Sequence, residues 1–198
     1  MIKLEFKLSN EFNNQIIELL KSLQLCNDKT IDSQIYTLNH KQAFMANQLI
    51  YRKQLTKSGI LHDVDKLVLY SMLPKEDASR LHRDYAHHHV NNINTDSDIE
   101  DCIIDYECAR FTKTDKPLNA YNTVMKYHPD SYDKFKATLE RFNLDSPIDA
   151  NPDFTPWERL KSSSIQYLID INIEAIKKIY NDRLEFWVVE SVRNFYAR

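Results

Sequence analysis

The sequence has almost no glycine. Its 198 residues include a single glycine, Gly59, and six prolines. Tight β-hairpin turns and phosphate-binding loops depend on glycine, because glycine adopts backbone conformations that other residues avoid. The scarcity therefore disfavours a β-rich fold and excludes a glycine-rich phosphate loop, and it predicts helices joined by polar loops.

Cysteines are also few, the net charge is small, and long apolar runs are absent. The three cysteines are odd in number and form no Cys-x-x-Cys pair, so we expect free thiols in a reducing compartment. The formal net charge is −3, and without a basic field we expect no stable nucleic-acid binding. No apolar run has transmembrane length and no leader pattern opens the chain. We therefore expect no membrane partner and a location in the cytoplasm, or in the host-cell cytoplasm if a phage encodes the chain.

Hydrophobic periodicity predicts an all-α helical bundle. Apolar residues recur every three or four positions from residue 9 onward, which is typical of amphipathic helices. Residues 2–8 alternate apolar and polar instead, and with residues 183–189 they could form a small terminal β element. We expect one domain over residues 1–198, with a metal-site core over about residues 30–130 and C-terminal helices of residues 155–198 packing on it.

Local signals predict helix boundaries near the centre of the chain. We expect Gly59 to end one helix and to let the chain turn sharply. A single helix is then expected over residues 60–73. Ser97 and Glu100 have the spacing of a capping box at the start of a helix over about residues 99–112.

Histidine is concentrated in one part of the chain. Six of the seven histidines are found between positions 40 and 89: His40, His62, His82, His87, His88 and His89. Asp63 follows His62 directly, and Asp101 and Asp105 follow later. Metal sites in helical bundles draw ligands from facing helices, and histidine is the commonest metal ligand. Imidazole with carboxylate suits one or two divalent transition ions, namely Mn, Fe, Co, Ni or Zn.

Three stretches give this pattern a family resemblance. "HDVDK" at residues 62–66, "HRDYAHH" at residues 82–88 and "IEDCIIDYECAR" at residues 99–110 follow one another. The order His, then His-Asp, then Asp resembles the HD-domain superfamily of metal-dependent phosphohydrolases, and most narrowly an uncharacterised HD-like family of phages and bacteria. The resemblance covers about residues 36–130 and implies an HD-like helical bundle.

The resemblance implies roles for individual residues. The implied metal ligands are His40, His62, Asp63 and Asp105 for a first metal, with His82, His87 and His88 as candidates for a second metal or for phosphate. Asp105 is favoured over Asp101 because Asp105 precedes a tyrosine, as in the family, and Asp101 one helical turn away could act as an indirect partner. Lys66 is implied to contact phosphate.

The residues around the motif complete the expected site. Arg80 and Arg83 either belong to the solvated surface or join Lys66 in a phosphate-binding rim. On one regular helix His82 would face the same way as His89 rather than as His87 or His88. Either that helix ends near His87, or only some of these histidines are ligands. Among residues 87–89 we expect His89 to be the one that binds no metal.

One remaining polar residue and the C-terminal apolar residues receive simpler interpretations. We expect Asp65 at the surface. The apolar residues of the last helices could close the core or form the face of a homodimer. They are Trp187, Val188, Val189 and Phe195.

Our leading hypothesis is a metal-dependent phosphohydrolase acting on a nucleotide or related small phosphate ester. The metal would lower the pKa of a bound water, and Lys66 with Arg80 or Arg83 would neutralise charge on the phosphoryl oxygens. His82 or His87 would protonate the leaving oxygen. Two alternatives keep the fold: an HD-like di-iron oxygenase, and a non-catalytic binding or inhibitor protein that a metal stabilises.

Overall fold

The computed structural model describes residues 10–113 and 118–148, together with six helical residues between 167 and 177. Every regular element in this part of the chain is a helix, which confirms the all-α prediction for it. The helices are α1 (Asn10–Ser22), α2 (Ile31–Tyr51), α3 (Lys57–Leu61), α4 (Val64–Met72), α5 (Lys75–Tyr85), α6 (Asp96–Thr112), α7 (Ala120–Tyr127) and α8 (Tyr132–Arg141). Short 3-10 turns span Val90–Asn92 and Pro129–Ser131.

Some expectations fall on other parts of the chain. The proposed β element, at residues 2–8 and 183–189, lies outside the described residues. So do the four apolar residues assigned to core closure or a homodimer face. Of residues 155–198, the structure describes six helical residues, of which Ile171 and Ile173 pack against core residues.

Helix α2 is the central element of the bundle. It packs against α3, α4 and α6, while α6 packs against α7 and α8. Between Thr37 and Gln48 every residue except Asn39 is buried. Such a helix cannot keep its polar side chains in water, so they must find partners inside the protein. This burial places His40 and Lys41 in the interior.

Two hydrophobic clusters lie on either side of α2. Leu38 joins the cluster formed with residues of α1, α4 and α5, including Leu67. Phe44 joins the cluster formed with residues of α6, α7 and α8, including Ile103 and Phe135. Burial of each such side chain stabilises the fold by roughly 1.5–3 kcal/mol. Because α2 belongs to both clusters, its position relative to α4 and α6 is fixed from both sides.

The predicted role of Gly59 is wrong. Gly59 lies inside α3, it is buried, and its φ is not positive. A Cβ atom at this position would overlap the side-chain amide of Gln48 on α2. The glycine therefore permits close contact between α3 and α2 rather than a turn. The single helix predicted over residues 60–73 is likewise interrupted, because α3 ends at Leu61 and α4 begins at Val64.

The capping box of α6 is also displaced from its predicted position. Thr95 Oγ1 accepts a hydrogen bond from the backbone N–H of Asp98, and Asp98 Oδ2 accepts one from the N–H of Thr95. Ser97 and Glu100 instead bind Arg52 on α2. The helix therefore begins at Asp96, about one turn before the predicted start.

Candidate metal centre

The junction between α3 and α4 carries the adjacent His62 and Asp63. Asp63 is the N-cap residue of α4 and has a left-handed backbone, with φ 58° and ψ 8°. On a continuous helix the two side chains would diverge by about 100°. The left-handed residue breaks the helix here, and both buried side chains enter the same cluster of histidines and carboxylates.

A first group of ligand atoms surrounds one oxygen of Asp63. Asp63 Oδ2 lies 3.7 Å from His62 Nε2 and 4.0 Å from His40 Nε2. Asp105 Oδ1 lies 2.6 Å from His40 Nε2 and 3.5 Å from His62 Nε2. Helix α2, the α3–α4 junction and α6 therefore each contribute to this group, as the sequence predicted for a site between helices.

A second group faces the other oxygen of the same carboxylate. Asp63 Oδ1 lies 3.1 Å from His82 Nε2 and 3.6 Å from His88 Nε2. The two Nε2 atoms lie 3.3 Å from each other. The ring of His89 packs against both of these imidazoles. Asp63 thus stands between two histidine groups, with one oxygen toward each.

Several buried polar atoms of the cluster have no hydrogen-bond partner. They are His62 Nε2, Asp63 Oδ1 and His89 Nε2. A buried polar atom without a partner costs about 1–3 kcal/mol, so native proteins rarely leave several in one place. All three are atoms that bind metals.

Three sets of residues bring such atoms within 4.8 Å of one another. The sets are His40, His62 and Asp63; Asp63, Asp65 and His82; and His82, His88 and His89. Nitrogen and carboxylate oxygen in these proportions suit a divalent transition ion. The buried cluster can therefore hold a metal ion.

Asp65 orients one of the histidines. Its Oδ2 lies 2.6 Å from His82 Nδ1, and the hydroxyl of Tyr85 donates to the same oxygen. A carboxylate at Nδ1 fixes the ring so that Nε2 points the other way, toward the cluster. The expectation that Asp65 lies at the surface is wrong, because its residue is only 9% exposed.

Charges within the cluster set its protonation. Burial would raise the pKa of Asp63, but Lys66, His62 and His82 hold it well below its usual range. Burial would also raise the pKa of Asp105, but the neighbouring imidazoles of His40 and His62 hold it well below its usual range. Both groups are therefore carboxylates at neutral pH, which is the form that binds metals.

The imidazoles of the second histidine group have pKa values shifted in opposite directions. Burial, and then the charge of His62, hold the pKa of His88 well below its ordinary value. Burial lowers the pKa of His89 to about 4. Burial would lower the pKa of His82 as well, but Asp65 and Asp63 raise it overall. At neutral pH His88 and His89 are therefore uncharged, with lone pairs free to bind a metal.

The structure arranges residues 87–89 differently from the expectation that His87 and His88 are candidate ligands and that His89 is not. Helix α5 ends at Tyr85, so residues 87–89 follow the helix rather than continue it. His88 lies in the cluster. The side chain of His87 is exposed and outside the three sets. His89, the residue expected to bind no metal, belongs to the set with His82 and His88.

The two candidate aspartates of α6 have different partners. Asp105 faces the histidines, as described above. Asp101 Oδ1 accepts hydrogen bonds from Gln48 Nε2 and Arg52 Nη1, both at 2.8 Å, and its Oδ2 accepts one from Ser58 at 2.6 Å. This second network ties α2 and α3 to α6, and it does not include the clustered histidines.

A cavity of about 1050 Å³ opens onto the cluster. Its lining includes His40, Asp63, Lys66 and Asp105. Lys66 Nζ donates to Asp63 Oδ2 over 2.8 Å. The two arginines of the predicted rim differ: Arg83 lines the cavity, whereas Arg80 does not and pairs with Asp77.

Lys41 is a buried residue that we did not single out from the sequence. Its Nζ donates to the backbone carbonyl groups of Gly59 and Ile60, in the last turn of α3. Burial lowers the pKa of Lys41 to about 7. These hydrogen bonds hold the residues just before His62 against α2, and so they help to position His62 and Asp63.

Comparisons with protein-family models, curated proteins and solved structures found no match for this chain. Functional inference therefore depends on the geometry of the cluster and of its cavity. Among the described residues, no helix has the length and apolarity that crossing a membrane requires.

Proposed function

We propose that the protein is a metal-dependent phosphohydrolase acting on a nucleotide or a related small phosphate ester. One observation supports this above the others: the two oxygens of Asp63 face separate histidine groups beside a large cavity that contains Lys66. This arrangement offers binding atoms for two divalent transition ions that share one carboxylate, a design suited to phosphoryl chemistry. The resemblance of the three sequence stretches to HD-domain phosphohydrolases points the same way.

The charges of the site favour bound cations. The carboxylates of Asp63, Asp65 and the partly buried Asp105 lie together with the ammonium group of Lys66. Metal ions bound here would activate a water for attack on phosphorus and neutralise charge on the phosphoryl oxygens.

The protein residues would orient the ions and the substrate. Asp65 holds His82 with Nε2 toward Asp63, so His82 would offer this nitrogen to a bound ion. Lys66 uses one of its three N–H donors on Asp63, so the others are free to bind a phosphoryl oxygen at the cavity wall. Burial lowers the pKa of Lys66, but Asp63 and then Asp105 raise it above its ordinary value overall, so its positive charge is maintained.

The cavity separates this proposal from a purely structural metal. Structural sites are closed by protein ligands, whereas catalytic sites keep a position open. Here His40, Asp63 and Asp105 all line the cavity, so a substrate in the cavity would meet the same residues that hold the ions.

Metal content and hydrolysis together test the proposal. Purified protein is analysed by mass spectrometry, reconstituted with Mn, Fe, Co, Ni or Zn, and assayed for phosphate release from a nucleotide panel and from p-nitrophenyl phosphate. We expect one or two ions per chain and metal-dependent hydrolysis. The Asp63→Asn variant keeps a side chain that tolerates the left-handed backbone, and we expect it to lose both metal and activity.

His87→Ala is the matched comparison. Its side chain is exposed and lies outside the cluster, so we expect the variant to keep the wild-type metal content. A protein that binds no metal after reconstitution contradicts the proposal. Tightly bound iron with oxygen consumption and no phosphate release would instead support the di-iron oxygenase alternative.

A further inference from the structure

A row of polar side chains on α5 lines the cavity beside the second histidine group. Lys75, Ser79 and Arg83 are four residues apart, so they lie on one face of the helix, and all three line the cavity. The row spans about 12 Å at about 1.5 Å per residue. Arg83 lines the cavity together with His89 and Asp63, so the row ends beside the histidine cluster.

The two cations of this row have no protein partners among the described residues. The side chains of Lys75 and Arg83 are both exposed, and neither donates a hydrogen bond or forms an ion pair there. Arg80, on the same helix but outside the cavity lining, is paired with Asp77. Ser79 Oγ lies 3.1 Å from the hydroxyl of Tyr70, which also lines the cavity. Within the described residues, the row therefore presents two positive charges to the cavity that form no ion pair.

A pair of parallel rings lines the cavity beside the first histidine group. The rings of Tyr106 on α6 and His128 after α7 lie 5.7 Å apart between centroids, with 7° between their planes. Tyr106 directly follows Asp105, and the half-exposed Tyr127 lines the same wall. Burial lowers the pKa of His128, so its ring is neutral at pH 7. Flat neutral rings of this kind offer a stacking surface to an aromatic ligand.

The size of the cavity calls for a ligand that reaches both features. Small-molecule sites enclose about 300–1,000 Å³, and this cavity measures about 1050 Å³. A phosphate ester of a small alcohol would fill the space at the metal cluster and leave both the cationic row and the ring pair without contacts.

We propose that the substrate is a nucleoside polyphosphate, whose base stacks on the Tyr106–His128 pair and whose additional phosphates bind Lys75 and Arg83. The inference rests on the proposed function, because one phosphate must lie at the metal cluster beside Lys66. Beyond the proposed function, the inference states that the substrate carries more than one phosphate and names the residues that select it. A nucleic-acid strand fits less well, because the chain has a net charge of −3 and Asp32 also lines the cavity.

Equilibrium binding to the metal-loaded protein tests the inference separately from catalysis. The probes are adenosine, AMP, α,β-methylene-ATP, inorganic triphosphate, glycerol 3-phosphate and a short adenylate oligonucleotide. Measurements are made in the cold, and each probe is checked afterwards for breakdown. We expect α,β-methylene-ATP to bind at least about tenfold more tightly than AMP, and AMP more tightly than glycerol 3-phosphate, as each added contact contributes.

Variants separate the two features. The Lys75→Ala/Arg83→Ala variant should weaken binding of α,β-methylene-ATP and inorganic triphosphate about tenfold or more, with little effect on adenosine. The Tyr127→Ala/His128→Ala variant should weaken binding of the adenosine compounds and leave inorganic triphosphate unchanged. These changes are at exposed or half-exposed positions, so the fold should persist. Lys136→Ala removes an exposed charge on α8 outside the cavity. It should change neither the affinity for the adenosine compounds nor the affinity for inorganic triphosphate.

Other outcomes overturn the inference in recognisable ways. Equal affinity for AMP and α,β-methylene-ATP would contradict a polyphosphate substrate. So would unchanged binding by the Lys75→Ala/Arg83→Ala variant. Tighter binding of the oligonucleotide than of any mononucleotide replaces it with a nucleic-acid strand. Metal-dependent hydrolysis of p-nitrophenyl phosphate without these preferences leaves the proposed function intact and defeats the inference. The expected preferences without hydrolysis by any metal form defeat the proposed function alone.

Discussion

Asp63 combines an unusual backbone with a central position in the cluster. A left-handed conformation costs most residues about 1–2 kcal/mol, and aspartate is among the few that adopt it readily. At this residue the conformation separates α3 from α4 and lets one carboxylate face both histidine groups. The geometry of the candidate site therefore depends on one backbone position as much as on the ligand side chains.

Asp65 should control the second histidine group. Replacing Asp65 with alanine removes the acceptor at His82 Nδ1 and frees the ring to rotate away from the cluster. We expect the affinity for a second metal ion to fall about 10–100-fold, measured by metal titration with a chromophoric chelator. The variant is first compared with wild type by circular dichroism, because Tyr85 also loses its acceptor.

Asp65→Asn is the conservative control for this effect. Its amide oxygen can still accept from His82 and Tyr85, so the loss of affinity should be smaller than in the alanine variant. If a folded Asp65→Ala protein binds two ions as tightly as wild type, Asp65 has no orienting role.

The motif made part of the site predictable at this scale. His40, His62, Asp63 and Asp105 appear in an order that points to metal binding, and the structure brings them together. Asp65 and His89 could not be found in the same way. Asp65 reaches His82 only because α4 starts after the break at Asp63, and His89 turns inward only because α5 ends at Tyr85. Neither feature leaves a periodic pattern in the sequence.

Helix α3 depends on the absence of a side chain at Gly59. The Gln48 side chain occupies the space next to this glycine and is bonded to Thr56 and Asp101. Its amide oxygen also accepts from the backbone N–H of Thr56. The absence of a side chain at Gly59 therefore lets α3 pack closely on α2. It also lets the buried amide of Gln48 keep all of its hydrogen bonds.

The Gly59→Ala change should destabilise the protein. Alanine favours a helix by about 1 kcal/mol over glycine, but a Cβ would displace Gln48 and break two or three buried hydrogen bonds worth about 1 kcal/mol each, leaving polar atoms without partners. We expect a net loss of about 1–3 kcal/mol in the free energy of unfolding, measured by urea denaturation of metal-free protein.

A double-mutant cycle checks the cause. In a Gln48→Ala background there is no amide to displace, so adding Gly59→Ala should cost nothing further or should stabilise. Additive losses in the double variant would show that Gly59 acts through something other than its contact with Gln48.

Elements were predicted more successfully than their ends. Hydrophobic periodicity predicted the all-α fold, and the helix expected over about residues 99–112 is found as α6. The break inside residues 60–73 has no proline or glycine at its centre and was missed. Thr95 was passed over as the N-cap of α6 because Ser97 and Glu100 offered the same spacing two residues later.

The candidate metal centre lies between the two hydrophobic clusters of the bundle. Helix α2 contributes to both, while α4 belongs to one and α6 to the other. The ligands on these helices therefore come from both halves of the bundle. A bound metal would link the halves, since it binds the folded arrangement and not the unfolded chain.

Metal removal should lower the thermal stability of the whole chain. A ligand at about 100 times its Kd stabilises the folded state by about 2.7 kcal/mol, and each kcal/mol shifts Tm by about 2–4 °C in a protein of this size. We expect chelation to lower Tm by about 5–11 °C in scanning calorimetry. The Asp63→Asn variant should show no such difference, and an unchanged wild-type Tm after verified metal loss would contradict the link.

The left-handed position at residue 63 also limits how this protein can change over evolution. Glycine and asparagine accept the backbone but carry no charge, and asparagine offers only one oxygen. Glutamate carries the charge but resists the conformation. Aspartate satisfies both demands at the lowest conformational cost, so we expect other residues to be disfavoured at this position while the site remains in use.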